Sequence, residues 1–357
     1  MLIVSITEKL WMSDMRVLNI FNSLVPSGAE VMWSSAAEDF KLEGVTHIIA
    51  ATADTVGPYG EDLRKHYEVV HLPLGEGVWG ARATARFAQE IGADVIHCHS
   101  EKKALACGLA GRITRLPVVR TYHNVWPSKG FKHAIRRRIE RRLVSAVGVG
   151  KSVSDMESHW GSVQTILNWV DTNSIIVRNA RNGTSLPLRL VTVCNTHSFK
   201  RCDIMLQLVE KHPEVTLTHI GRDIAGAFRD EELIRQGVDE RVRSLGSRDD
   251  VLELLGSHDA FLCTSDNEGF GVAMYEALLT GLAVVIVDKP GVRDIRKFAP
   301  QALVINPESE FPLEGLAESI CRQSTFFGEF KHQLHSQFSP GRGAAEYAQV
   351  YRKVTAK

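Results

Sequence analysis

Short apolar runs alternate along the chain with longer stretches that mix apolar and polar residues. Apolar runs bounded by turn residues are typical of buried parallel strands, and the stretches between them predict helices. The runs fall at 16–21, 46–50, 67–70, 94–99 and 117–124 in the first half, and at 190–194, 215–221, 242–246, 260–263 and 282–287 in the second. The pattern predicts an α/β fold with two doubly wound parallel sheets.

The polar segment between the two halves indicates a domain boundary. Because 172–188 is polar and lacks apolar runs, we expect it to link an N-terminal domain over 15–171 to a C-terminal domain over 189–340. Residues 341–357 predict a final helix. Met12 and Met15 lie just before the first convincing strand, so we interpret 1–14 as an N-terminal extension that begins at an upstream start codon.

Composition and charge narrow the class of protein. The 357 residues include 42 lysines and arginines and 42 aspartates and glutamates, so no net charge favours nucleic acid as a partner. The six cysteines form no Cys-x-x-Cys pair and lie in apolar contexts, which is typical of buried thiols in a cytoplasmic protein. No apolar run approaches the ~18 residues of a membrane-spanning helix, and the N-terminus lacks the pattern of a signal peptide.

The stretch 266–281 carries the clearest chemical pattern in the sequence. Gly269 and Gly271 allow the backbone to approach a ligand where a helix begins, and a helix N-terminus favours an anion such as phosphate. Glu268 in the loop and Glu276 in the helix place carboxylates on either side of that helix start, and Gly281 is well placed to end the helix. A nucleotide sugar has this layout, with hydroxyl groups on both sides of a phosphate.

The sequence Glu-Gly-Phe-Gly at 268–271, with its Glu-x7-Glu spacing and flanking strands, resembles a known signature. It is that of the retaining glycosyltransferases of family 4 (group 1), whose GT-B fold has two Rossmann-like domains facing across a cleft. The resemblance implies metal-independent transfer from a uridine or guanosine diphosphate sugar, with no other cofactor. The acceptor would be a glycan, lipid-linked or small-molecule hydroxyl, as in polysaccharide biosynthesis, and the helix at 341–357 would pack back on the N-terminal domain. The alternative is a surface helix with two solvated glutamates.

Two loops would hold the donor diphosphate if the resemblance extends to them. Gly28 follows the first strand at a turn where Ser27 replaces a usual glycine. Lys200 matches a lysine in the loop after the first strand of the second domain, whereas Asn195 stands where an arginine is usual. Loss of a cation there could lower the rate about a hundredfold. Arg201, His197 or Arg222 could replace it, and we hypothesise that Arg201 reaches in. If no cation does so, the protein would be slow or inactive.

The remaining donor contacts are implied by the signature itself. Glu268 and the backbone amides of Phe270 and Gly271 would hold the sugar and phosphate. Glu276 would accept hydrogen bonds from the ribose hydroxyls. These residues are therefore predicted to bind the donor.

Histidines follow two neighbouring predicted strands. His123 ends the run at 117–124, and in the resembling enzymes a histidine at this point lies near the transferred sugar. We therefore predict His123, Lys200 and Glu268 as catalytic residues. His97 and His99 lie two apart on the preceding strand, in an Asp-x-x-His-x-His sequence that is also usual in the family. A metal site is one interpretation of the pair, but no third ligand is evident. Hydrogen-bonded structural histidines are the alternative, for this pair and for His123.

A basic segment at 129–143 predicts an amphipathic helix. Its apolar residues recur every four positions, and its cations lie beside them: Lys129, Lys132, Arg136, Arg137, Arg138, Arg141 and Arg142. Such a helix could lie on an anionic membrane surface, or it could be an ordinary domain helix with a solvated basic face. Nucleic-acid binding is less favoured, because aromatic residues do not interleave with the charges.

Three other functions compete with sugar transfer. A dehydrogenase would need a Gly-x-Gly-x-x-Gly turn, and neither domain has one. A phosphorylase-type enzyme of the same fold would need a longer chain and a cofactor lysine. A non-catalytic glycosyltransferase-like subunit that binds a nucleotide or a partner stays open because of Asn195. Trp169 is a further departure from the family. The segment 164–171 resembles a turn that carries a glycine in the family, and Trp169 stands in place of that glycine.

Overall fold

A computed structural model describes residues 14–25, 28–75, 77–125, 130–177, 187–306 and 313–356. Four predictions fall wholly or partly outside these residues. They concern the expected extension apart from Asp14, the turn residue Ser27, Lys129 of the basic segment, and residues 178–186 of the expected linker. The chain divides into two compact units. One comprises the described parts of Met1–Trp169 and Pro340–Lys357, and the other those of Val170–Ser339.

The first unit is built on a seven-stranded parallel sheet with the order β3-β2-β1-β4-β5-β6-β7. Its strands are β1 (Met15–Phe21), β2 (Val45–Ala51), β3 (Glu68–His71), β4 (Val95–Cys98), β5 (Val118–Tyr122), β6 (Ser145–Gly148) and β7 (Val163–Thr165). Its helices are α1 (Gly28–Ser35), α2 (Ala37–Leu42), α3 (Gly60–Arg64), α4 (Gly77–Glu90), α5 (Ala104–Thr114), α6 (Phe131–Glu140), α7 (Lys151–Ser158) and α13 (Pro340–Thr355). The order reverses beside β1, so the loops after β1 and β4 diverge and leave room for a ligand.

The last helix, α13, packs into the core of the first unit beside α2. Trp169 is fully buried there, and its indole Nε1 donates to the carbonyl of Met32 at 2.7 Å. Gly343 of α13 makes room for the indole, because a Cβ at that position would lie 2.1 Å from a ring carbon of Trp169. The tryptophan that replaces an expected glycine is thus accommodated by a glycine elsewhere.

The second unit is a smaller sheet of the same kind, with six parallel strands in the order β10-β9-β8-β11-β12-β13. Its strands are β8 (Leu188–Val193), β9 (Val215–Ile220), β10 (Val242–Ser244), β11 (Ala260–Cys263), β12 (Ala283–Val287) and β13 (Leu303–Ile305). Its α-helices are α8 (Cys202–Lys211), α9 (Asp230–Arg235), α10 (Val251–Gly256), α11 (Val272–Thr280) and α12 (Leu313–Gln337). The predicted fold class is confirmed. The sequence analysis missed β6, which is four residues long, and β7 and β13, which are three residues long each.

Helix α6, the basic segment of the sequence analysis, buries charge and exposes apolar side chains. Arg137 is buried and pairs with Glu157 and, at 3.0 Å, with Glu101. Phe131 is 80% exposed, and Ile135 and Ile139 are each nearly half exposed. Arg136, Arg138 and Arg142 are exposed, as the interpretation with a solvated basic face requires, but that interpretation does not account for the exposed apolar stripe. Over the described ranges, no helix is both long and apolar enough to cross a membrane.

Candidate functional site

In the second unit, hydrogen bonds connect a short 3-10 turn (Ser198–Lys200) to the loop after β11. The hydroxyl of Thr264 donates to the carbonyls of Lys200 at 2.8 Å and Arg201 at 3.0 Å. The amide of Asp266 donates to the carbonyl of Phe199 at 2.8 Å. The two loops that the sequence analysis assigned to the diphosphate and to the sugar thus form one fixed assembly.

Lys200 and Glu268 form an ion pair at the centre of this assembly. The Lys200 Nζ lies 2.5 Å from Glu268 Oε1, and both side chains are largely buried. The hydroxyl of Ser265 also donates to Glu268 Oε1, at 2.7 Å. Burial opposes the charged form of Lys200, but Glu268 outweighs that effect and holds the lysine pKa above its ordinary value. The ammonium therefore stays charged at neutral pH, while the carboxylate is held by two donors.

The backbone beside Glu268 leaves no room for a side chain. Gly291 has φ of 76°, and a Cβ there would lie 1.8 Å from the carbonyl oxygen of Glu268. The Glu268 amide in turn donates to the carbonyl of Pro290 at 3.1 Å. Sequence reasoning missed both Gly291 and Ser265, although the Pro-Gly pair after β12 was a visible turn signal.

The start of α11 presents unpaired backbone amides. Gly271 caps the helix in the left-handed region (φ 78°), and its carbonyl accepts from the amides of Met274 and Tyr275. Within the described parts of the chain, the amides at positions 270–273 have no hydrogen-bond partner. The Phe270 ring is buried and stacks on Tyr275 with 4.0 Å between centroids. Only the backbone of Phe270 is therefore free to meet a ligand, and the helix N-terminus favours an anion there.

Glu276 lies one turn into α11 and is partly buried. Burial, reinforced by the nearby Asp171, raises the pKa of Glu276 to about 7. Among the described residues its carboxyl group has no hydrogen-bond or ion-pair partner. A partly buried carboxyl group without a partner is suited to hydroxyl groups of a ligand, because a buried polar group gains from each hydrogen bond it acquires.

Arg201 and Asn195 lie in the same unit and are engaged by protein groups. The Arg201 guanidinium donates to Asp203, with contacts of 2.8 to 3.2 Å, and to Asp266 at 3.3 Å. The Asn195 Oδ1 accepts from the amide of Arg222 at 2.9 Å. Arg201 would have to leave these two carboxylates to reach a diphosphate, so its assignment as the replacement cation stays a hypothesis.

The other two predicted residues, Gly28 and His123, belong to the first unit. Gly28 is the exposed first residue of α1. His123 follows β5 and lines a cleft of about 300 Å³ whose other lining residues are Phe21, Asn22, Ser23, Glu30, His99, Ser100, Glu101 and Lys102. Burial, with a smaller effect of Arg120, lowers the pKa of His123 to about 4, so the imidazole is neutral at pH 7.

The strand histidines His97 and His99 differ in their surroundings. His97 is buried, and its two ring nitrogens lie 2.7 Å from the hydroxyl of Tyr351 and 2.8 Å from that of Thr121. His99 instead reaches the cleft, where its Nδ1 lies 3.1 Å from His123 Nε2. The ring nitrogens of both residues thus have protein partners, as is typical of hydrogen-bonded structural histidines.

Comparisons with known proteins show which families and structures this chain resembles. The model of Glycosyltransferase Family 4 matches residues 26–173, and that of Glycosyl transferases group 1 matches residues 188–323. The N-acetyl-alpha-D-glucosaminyl L-malate synthase of Bacillus anthracis is 24% identical over 93% of this chain and 91% of its own length. The phosphatidyl-myo-inositol mannosyltransferase of Propionibacterium freudenreichii is 24% identical over 61% of this chain, and the match spans only 58% of that enzyme.

Solved structures show the same fold. Anabaena HepE in complex with UDP and glucose has a TM-score of 0.75 at 19% identity and covers 94% of this chain and 99% of its own. Sucrose-phosphate synthase from Thermosynechococcus elongatus has a TM-score of 0.73 at 15% identity and covers 96% and 99%. Two parallel-sheet α/β units with this likeness define the GT-B class. The chain belongs to the glycosyltransferases of family 4, group 1.

Proposed function

We propose that this chain transfers a sugar from a nucleoside diphosphate sugar to a hydroxyl group, with retention of anomeric configuration and without a metal ion. The observation that carries the proposal is the Lys200–Glu268 ion pair, fixed beside the unpaired amides at the start of α11. Transfer leaves a nucleoside diphosphate whose charge increases in the transition state. A preorganised ammonium and a helix N-terminus stabilise that charge. Such electrostatic stabilisation of the transition state usually contributes most to the rate.

Each carboxylate has a distinct part in this proposal. Glu268 already accepts from Lys200 and Ser265, so it is suited to orient sugar hydroxyls rather than to attack the anomeric carbon as a nucleophile. Glu276, which has no protein partner among the described residues, accepts from the ribose hydroxyls. Retention then follows if the acceptor attacks from the face that the diphosphate leaves, and the enzyme supplies position and electrostatics.

UDP-glucose is the first donor to test, because the similar HepE structure was solved with UDP and glucose. The relatives act, by their names, on phosphatidyl-myo-inositol and L-malate, which supports both lipid-linked and small-molecule hydroxyls as acceptors. GDP-sugars are the second donor class that the family resemblance implies.

Membrane contact through α6 belongs to the same proposal. Phe131, Ile135 and Ile139 expose an apolar stripe, and the exposed Arg138 and Arg142 adjoin it. Apolar residues that insert at the headgroup boundary, flanked by cations, fit an anionic lipid surface. A lipid-linked acceptor would then be within the enzyme's reach.

Sugar transfer by the purified chain tests the proposal. We expect nucleoside diphosphate release to depend on an acceptor, and NMR of the product to show the anomeric configuration of the donor. Lys200→Ala should lower kcat about a hundredfold, whereas Lys211→Ala, which removes an exposed lysine at the end of α8, should leave it unchanged. Inverted product would overturn the retaining mechanism. Nucleotide binding without any transfer would instead favour the non-catalytic subunit that Asn195 leaves open.

A further inference from the structure

A hydrogen-bonded chain of side chains leads from the buried sheet to His123. It begins at Asn19 in the middle of β1, which is fully buried, and passes through His99 at the end of β4. The His99 ring is held in place by stacking on Phe21, with 4.2 Å between centroids and 8° between planes. The sequence predicts His123 as a catalytic residue but gives no role to the two residues behind it.

The carbonyl of Val17 selects one orientation of the Asn19 amide. Its Nδ2 lies 3.2 Å from the carbonyl of Val17, which can only accept, and 2.7 Å from the Nδ1 of His47. If the amide were rotated, its oxygen would face the carbonyl oxygen of Val17 without a proton between them. The Asn19 Oδ1 is therefore the acceptor, and it faces His99.

This orientation sets the protons on both histidines. His99 Nε2 lies 3.3 Å from Asn19 Oδ1, so Nε2 carries the proton and donates. Burial keeps the pKa of His99 well below its ordinary value, so the ring is neutral and its Nδ1 is an acceptor. His123 Nε2, 3.1 Å away, must then be the donor. The His123 proton thus resides on Nε2, and its Nδ1 carries a lone pair.

The Nδ1 of His123 is the unsatisfied end of this chain. It is buried and has no hydrogen-bond partner among the residues that the structure describes, although the ring lines the cleft of the first unit. A buried acceptor without a partner needs a donor from a ligand or from water. A hydroxyl group provides one, whereas a carboxylate or phosphate would be repelled by the lone pair.

We propose that Asn19 and His99 are positioning residues that hold His123 in the tautomer with an unprotonated Nδ1, which accepts a hydrogen bond from a sugar hydroxyl. The hydroxyl part of this inference rests on the proposed function; the tautomer part does not. Asn19 and His99 touch no substrate in this account, and they act only through the ring of His123.

Nitrogen NMR of the full chain labelled with 15N-histidine tests the tautomer directly, with His123→Gln to assign the signal. At pH 7 we expect His123 to carry its proton on Nε2. In His99→Phe, which retains a ring to stack on Phe21, the preference should weaken to that of a free imidazole, so that both tautomers are populated. His97→Phe removes a neighbouring imidazole that does not bond to His123, and there the preference should persist.

Asn19→Asp provides the sharpest contrast. Its carboxylate would favour a charged His99, whose Nδ1 then becomes a donor and moves the His123 proton to Nδ1. A wild-type His123 protonated on Nδ1, or a tautomer that is unchanged in a folded His99→Phe, would overturn the proposal.

If transfer is found, Asn19→Asp should lower kcat about tenfold with little change in the donor KM. A tenfold decrease corresponds to the loss of one hydrogen bond. An unchanged kcat would remove the hydroxyl role, and absence of transfer in the wild type would refute the proposed function without touching the tautomer result.

Discussion

Glu276 is the residue whose charge state couples most directly to donor binding. Burial raises its pKa to about 7, so half of the free protein carries a neutral carboxyl group at that pH. The ionised form can accept from both ribose hydroxyls, and we therefore expect donor affinity to increase with pH. If only the ionised form binds, Kd should decrease about tenfold between pH 6 and pH 8.

Calorimetric titration with a nucleotide sugar measures this effect without interference, because a diphosphate diester has no phosphate group that titrates near pH 7. Glu276→Gln provides the control, since its amide keeps the shape but does not titrate. We expect weaker binding that is independent of pH in this variant. A wild-type Kd that stays constant from pH 6 to pH 8 would mean that Glu276 does not contact the donor, or that it is already ionised.

Side-chain identity predicted several site residues, but their partners could not be read from the sequence. Lys200 and Glu268 were both expected near the donor, yet only the fold shows that they bond to each other. Asn19 went unnoticed because its importance depends on three strands that lie far apart in sequence. Arg201 was expected to reach toward the donor diphosphate, and it is paired with two aspartates whose positions depend on the loop conformation.

At the scale of elements, α6 supports the clearest prediction. Phe131→Ser combined with Ile135→Ser removes two exposed apolar side chains from the stripe. Because burying each such side chain is worth about 1.5–3 kcal/mol, binding to vesicles that contain phosphatidylglycerol should weaken at least about tenfold. Co-sedimentation with vesicles measures it.

The control is Ile234→Ser, which removes a side chain that is 63% exposed on α9 of the second unit. Vesicle binding of this variant should match the wild type. High salt should weaken wild-type binding, because the flanking arginines contribute electrostatically. Equal binding of the double variant and the wild type would show that α6 is not the membrane-contacting element.

The sequence predicted that α6 is amphipathic but not which face turns inward. Periodicity separates the apolar stripe from the charged one, and by default the apolar stripe is buried. Here Arg120, Glu140, Arg137 and Glu157 form a buried ion-pair network that takes the place of an apolar contact. Such a network is assembled from three elements, so no local pattern indicates it.

At the scale of the whole molecule, the alternation of apolar runs was sufficient to predict both sheets. Strands that are buried on both faces of a parallel sheet consist of nearly continuous apolar residues, and such runs are easily recognised in the sequence. The strands that went unpredicted were β6, β7 and β13, because each is only three or four residues long and lacks a continuous apolar run that stands out in the sequence. Trp169 and Gly343 show a second limit, since a departure at one position is accommodated by a residue 174 positions away.

The central claim is that the second unit binds a nucleoside diphosphate sugar, and thermal unfolding with ligands tests it most directly. The panel would comprise uridine, guanosine, adenosine and thymidine diphosphates and NAD, each with the wild type and Glu276→Ala. A ligand at 100 times its Kd stabilises the fold by about 2.7 kcal/mol. We predict a shift with one nucleoside diphosphate, uridine diphosphate first, that is lost in Glu276→Ala. Stabilisation by NAD alone, or by none of the nucleotides, would contradict the claim.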